Sequence, residues 1–133
     1  MAQLAGYNSN IAQVTMNGGS VIAGTAKLPV MIAPFGGMTI KNAYVAPAAV
    51  INAGTVNYAT LTLINGGTAG TATTAIGTAG GTPGVTVAPA AFSLNTAADE
   101  LTSGQYLLAQ YAMTGALADN QFAVIIEWVH GKG

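Results

Sequence analysis

The chain has 133 residues, enough for one domain with a sizeable core, and 51% of them are hydrophobic, which excludes a disordered protein by composition. Only 5% are Asp, Glu, Lys or Arg, against about 25% in a typical soluble domain, and the formal net charge is -1. Lys27, Lys41 and Lys132 are too few and too dispersed to displace counterions from a nucleic-acid backbone or to dock on an anionic membrane, so neither partner is expected.

A chain this uncharged has little repulsion to keep its copies apart. Its surface is expected to combine neutral polar groups with area buried in an assembly. There is no cysteine, so disulfides and thiolate chemistry are excluded and the redox compartment stays open. Residues 1–6 lack the basic start of a secretory signal, and Asn8, Ser9, Asn10 and Gln13 interrupt any apolar run. The apolar region 21–38 is broken by Lys27, Pro29, Pro34 and the Gly36-Gly37 pair, so it does not read as a membrane span. Synthesis in a cytoplasm, without a cleaved signal, is the expectation.

In chain order, residues 1–20 read as an N-terminal arm, with a short strand at 11–16. Leu4, Tyr7, Ile11 and Val14 give it apolar contacts that a free tail would not need, so it is expected to order against a neighbouring subunit. The first strand is expected at 28–33, with Leu28, Val30 and Ile32 alternating against Pro29, Met31 and Ala33; the proline favours an edge position. Pro34-Phe35-Gly36-Gly37 turns the chain into a strand at 38–45, and the two strands read as a hairpin. Met38, Ile40, Asn42 and Tyr44 are expected on one face of the second strand and Thr39, Lys41, Ala43 and Val45 on the other.

Residues 46–53 offer one helical turn at 48–52. The run 57–65 is a half-buried strand, Leu61 and Leu63 inward and Thr60 and Thr62 outward. Residues 66–84 are a Gly/Thr/Ala-rich stretch. A structureless loop of that length is uncommon in a compact domain, so an extended segment at 71–78 is expected. Short strands follow at 85–87 and 90–94, then a polar turn region at 95–104 with a possible helical turn capped by Asn95 or Thr96. The strand 105–113 puts Leu107, Ala109, Tyr111 and Met113 on one face, and 114–120 connects it to the last strand.

That last strand, 121–129, is the most strongly β-forming run. Phe122, Val124, Ile126 and Trp128 lie on one face, which is a core face. Ile125, Glu127 and Val129 lie on the other, where two apolar side chains flank a rare charge; they are the expected subunit or capsid contacts, with Leu4, Tyr7, Ile11 and Val14. Seven or eight short strands separated by turn residues, with no amphipathic helix, indicate an all-β fold: a single antiparallel sandwich or barrel of jelly-roll type over 21–133, with the arm at 1–20.

Patterns that carry catalysis do not assemble. Gly66-Gly67-Thr68-Ala69-Gly70 lacks the lysine and following helix of a phosphate loop. Asp99 and Glu100 are adjacent and would face opposite ways on a strand, and the spaced carboxylates of a calcium loop are missing. His130 is the single histidine, with no cysteine to join it in a zinc site and no Ser motif to serve. Tyr7, Tyr44, Tyr58, Tyr106, Tyr111 and Trp128 would serve a sugar platform only if exposed together; in strands such rings are more often core or interface. Neither an enzyme nor a cofactor is expected.

One order of segments does resemble a known group. A Thr-alternating strand ends in Asn65-Gly66-Gly67 and is followed by the Gly/Thr/Ala-rich stretch and Phe92-Ser93-Leu94. A polar turn, then Leu101-Thr102-Ser103-Gly104-Gln105-Tyr106-Leu107-Leu108, and a final Phe122-Ala123-Val124-Ile125-Ile126-Glu127-Trp128 strand complete it. This pattern, over roughly residues 28–129, resembles the capsid decoration or cement proteins of tailed bacteriophages. The resemblance implies a β-rich homotrimer on the capsid exterior that bridges capsomers of the major capsid protein. Two further functions fit the composition: a glycan- or receptor-binding β module of a tail fibre or tail tip, and a self-assembling shell protein.

Overall fold

A computed structural model describes residues 9–17, 22–47, 58–80, 90–116 and 121–131. Its elements are all strands: β1 (Asn10–Asn17), β2 (Ile22–Ile32), β3 (Met38–Pro47), β4 (Tyr58–Asn65), β5 (Thr74–Gly80), β6 (Ala90–Ala91), β7 (Ser93–Leu94), β8 (Glu100–Leu101), β9 (Tyr106–Ala116) and β10 (Gln121–His130). They form two antiparallel five-stranded sheets packed face to face. Sheet A has the order β1-β10-β3-β6, with β8 also on β3; sheet B has the order β2-β9-β4-β5-β7. Both sheets turn one face to a common core and one to solvent, which is why their strands alternate in the sequence.

The alternation holds best on the long central strands. Leu61 and Leu63 of β4, Leu107, Ala109 and Tyr111 of β9, and Val124 and Ile126 of β10 all point into the core, as expected. Trp128 is only partly buried against the same cluster, at the end where β10 nears its turn. Ile76 of β5, Phe92 between β6 and β7, and Leu101 of β8 close the core at its margins. The extended segment expected in the Gly/Thr/Ala-rich stretch is β5, shifted to Thr74–Gly80.

Several expectations are corrected. The strands at 28–33 and 38–45 are not a hairpin: β2 lies in sheet B and β3 in sheet A, so the turn between them carries the chain across the sandwich. The two-face assignment of β3 fails halfway. Opposite β10, the register runs Glu127↔Asn42 and then Trp128↔Ile40, so a bulge shifts the phase. Met38 and Ile40 are buried before it and Ala43 and Val45 after it, leaving Lys41, Asn42 and Tyr44 exposed. A second shift between Pro29 and Met31 aims Met31 at the core and leaves Ile32 exposed. β2 is an edge strand, as Pro29 suggested.

The run at 90–94 divides at buried Phe92: β6 joins sheet A and β7 joins sheet B. Residues 95–99 form a turn rather than a helical one, with the Ala97 N–H donating to Asn95 Oδ1 at 3.1 Å and the Ala98 N–H to the Asn95 carbonyl at 2.9 Å. The helical turn at 48–52 and the strand at 85–87 lie outside the described residues.

Within the stretch expected as an arm, Asn10–Asn17 is β1, paired along its whole length with β10, while residues 1–8 lie outside the described residues.

Candidate interaction surfaces

The outer face of sheet A is built by parity. On β10, Val124 and Ile126 are inside, so Ala123, Ile125 and Glu127 point out, half-buried among their neighbours. Cross-strand register then fixes the rows. Gln13, Ile125, Tyr44 and Ala91 follow one another across β1, β10, β3 and β6. Beside them run Ile11, Glu127 and Asn42, and Thr15, Ala123 and Ala46. Ile11 is 66% exposed and Tyr44 45%. Glu127 is held by the Asn42 amide, whose Nδ2 donates to Oε2 at 3.1 Å. The face therefore presents apolar side chains among small and amide-bearing ones, with Glu127 tied to neutral Asn42, exposed Lys41 at the β3 bulge and exposed Glu100 opposite Thr39 at its margin.

The outer face of sheet B has a different character. Lys27, Gln110, Thr62, Thr78 and Ser93 form a continuous polar row across β2, β9, β4, β5 and β7. Its large apolar pair, Ile64 and Leu108, is buried, and Gly66 lies so close to Leu108 that an added Cβ would sit 2.7 Å from Leu108 Cδ1. Sheet A thus carries a cluster of exposed apolar side chains, whereas sheet B is mainly a polar surface with Ile32, 52% exposed, at the end of its edge strand β2.

Of the residues expected at contacts, Ile11, Ile125 and Glu127 come together on the outer face of sheet A. Val129 follows them at the same parity on β10, half-buried opposite Thr39. Val14 does not join them. It pairs with Val124 and, partly buried, packs against the core from the inner face of β1. Leu4 and Tyr7 lie outside the described residues.

One exposed group was missed. Phe35 is 93% exposed on the turn between β2 and β3. The Gly37 N–H donates to the Pro34 carbonyl at 2.9 Å, and Gly36 has φ +92, the positive value that a type II turn needs at its third residue. His130 Nε2 donates to the Phe35 carbonyl at 2.7 Å, and the Gly131 N–H donates to the Gly37 carbonyl at 2.9 Å, so the turn is braced from β10. A bulky apolar residue just before Gly-Gly was the available signal; it was read as a turn alone.

No convergent chemistry is found among these groups. His130 faces the turn, Glu127 faces Asn42, and Glu100 is exposed at the margin of sheet A. Among the described residues no three His, Asp or Glu side chains come close enough to hold a metal ion. The aromatic rings are dispersed: Tyr111 is buried, Tyr106 and Trp128 are half-buried, and Tyr44 is exposed on sheet A. The side chains of Tyr7 and Tyr58 lie outside the described residues.

No protein-family model and no curated protein matches the chain. Among solved structures, a chain from "Structure of infectious bursal disease virus Gx strain" is similar at 18% identity and a TM-score of 0.27, covering 93% of this chain. The match spans 33% of that viral chain, so this protein corresponds to about a third of its length.

Proposed function

We propose that the protein is a structural virion component that decorates the outside of a tailed-phage capsid and stabilises the shell by bridging capsomers of the major capsid protein as a homotrimer. The observation that carries this reading is the outer face of sheet A, whose Ile11, Tyr44 and Ile125 are exposed or half-exposed together. Such a face gains from being covered, and a shell packed with identical copies gains from having few like charges to crowd together. The order of pairing supports the jelly-roll form of the sandwich. β1 pairs β10, β2 pairs β9, β3 pairs β6 and β8, and β4 pairs β5, the nesting made by wrapping one long antiparallel ribbon around a barrel.

The test is co-sedimentation of purified protein with undecorated shells, comparing wild type with Ile125→Asp. The substitution is on the solvent side, so folding should persist while a buried, unpaired carboxylate lowers shell affinity by about 100-fold or more. Equal binding by the two proteins would remove the outer face of sheet A from the contact. Failure of the wild type to bind any shell would remove the role itself.

A further inference from the structure

A sheet edge exposes unpaired backbone donors and acceptors, and folded proteins blunt it with short strands, prolines, charges or bulges. Among the described residues, three of the four sheet edges are blunted. β7 has two residues, and β6 and β8, which share the far edge of sheet A, have two each. β2 has eleven residues but carries Lys27 and Pro29, and its register shifts twice, between Ile22 and Gly24 and between Pro29 and Met31.

β1 has none of these devices. Its eight residues, Asn-Ile-Ala-Gln-Val-Thr-Met-Asn, contain no charge and no proline. They pair with β10 without a shift from Asn10↔Trp128 to Asn17↔Gln121. Among the described residues, no strand pairs with its outer edge.

We infer that β1 is the edge through which two copies of this chain join, antiparallel about a two-fold axis, so that their sheets A become one continuous sheet. The occupant follows from the other edges. A head-to-tail contact would need a second long, unblunted edge to receive β1, and no other described edge offers one, so β1 pairs with itself. No charged side chain lies on the strand to oppose its copy.

Side-chain direction sets the register. Ile11, Gln13 and Thr15 point outward and Ala12 and Val14 inward, and directly opposed residues must share a face. With Gln13 opposite its own copy, Ile11 meets Thr15 of the second copy and Ala12 meets Val14, which continues the core row. The two Gln13 amides each bring a donor and an acceptor to the axis. This contact goes beyond the proposed role and does not depend on it; on a shell it would tie each oligomer to the next in pairs.

The test uses purified full-length protein. The chain has no cysteine, so Gln13→Cys gives one thiol. Across the axis its Cα atoms would lie about 4.5–5.5 Å apart, within disulfide reach. For Thr15→Cys the equivalent atoms fall four residues apart, about 14 Å, beyond it. Mild oxidation is expected to convert most Q13C, and little T15C, into covalent dimer. Gln13→Lys sets two ammonium groups face to face on an exposed position. It is expected to keep the wild-type circular dichroism, and the urea midpoint that the wild type shows when diluted until it dissociates, while the mass read by light scattering falls to half that of the undiluted wild type. Equal masses for wild type and Q13K, or T15C linking as fast as Q13C, would overturn the inference.

Discussion

Ile126 lies at the centre of the account of the core, and its replacement by alanine is the most informative stability test. Ile126 is 0% exposed, and its direct cross-strand neighbours are Ala12 on β1 and Ala43 on β3. Truncation removes three buried carbons, about 2.4 kcal/mol of transfer free energy at about 0.8 kcal/mol each. Neither flanking alanine has a flexible side chain to swing into the gap, so a residual cavity adds to the loss. The total should approach about 4 kcal/mol, in the upper half of the range for such truncations. Against a stability of roughly 5–15 kcal/mol, that leaves a folded but fragile protein. In urea, with a slope of about 2 kcal/mol per molar, the midpoint should fall by about 2 M at fixed protein concentration. Ile126→Val, which removes one carbon, should cost about 1 kcal/mol. A shift below about 0.5 M for Ile126→Ala would mean that β10 does not bury this face between two sheets.

Two further outcomes follow from the same geometry. Gly37 has φ +84, and an added Cβ would sit 2.7 Å from the Leu101 carbonyl oxygen, whereas Gly104 has φ +85 and nothing within 4 Å. Gly104→Ala should therefore cost about 1–2 kcal/mol from backbone strain alone, and Gly37→Ala clearly more, about 3 kcal/mol, in parallel urea titrations; equal costs would show that the 34–37 turn is not pressed against β8. Deleting residues 1–8 removes none of the described pairings and should leave the sandwich folded by circular dichroism. Deleting 1–20 takes away β1 with Ala12 and Val14 from the core and should abolish cooperative unfolding; a truncated 21–133 protein with an unchanged urea midpoint would restore the simple arm.

The class of fold and the central strands were legible because their signal is local. Alternation over Leu61 and Leu63, Leu107 to Tyr111, and Val124 and Ile126 needs no knowledge of a partner. What failed depends on pairing. The bulges opposite Trp128 and at Pro29–Met31 change which face a residue takes, and a bulge exists only relative to the neighbouring strand. Pro34-Phe35-Gly36-Gly37 signals a reversal whether the next strand stays in the sheet or crosses to the other, so the crossing from β2 to β3 read as a hairpin. The exposed face of sheet A was half legible. Parity alone put Ile125 and Glu127 on one face and should also have separated Ile11 from Val14, three residues apart on β1. Their meeting with Tyr44 and Asn42 needed the register of three strands. Phe35 carried its signal openly, but a turn residue and an exposed apolar side chain look alike until the side chain is seen in solvent.

The measurement that bears most directly on the proposed role is cryo-electron microscopy of virions from cells producing this protein. Trimeric density is expected on the outside of the shell, fitted by the two-sheet sandwich with Ile11, Tyr44 and Ile125 of sheet A turned into a contact. Virions whose shells lack this density, with the protein confined to the lysate or to the tail tip, would contradict it.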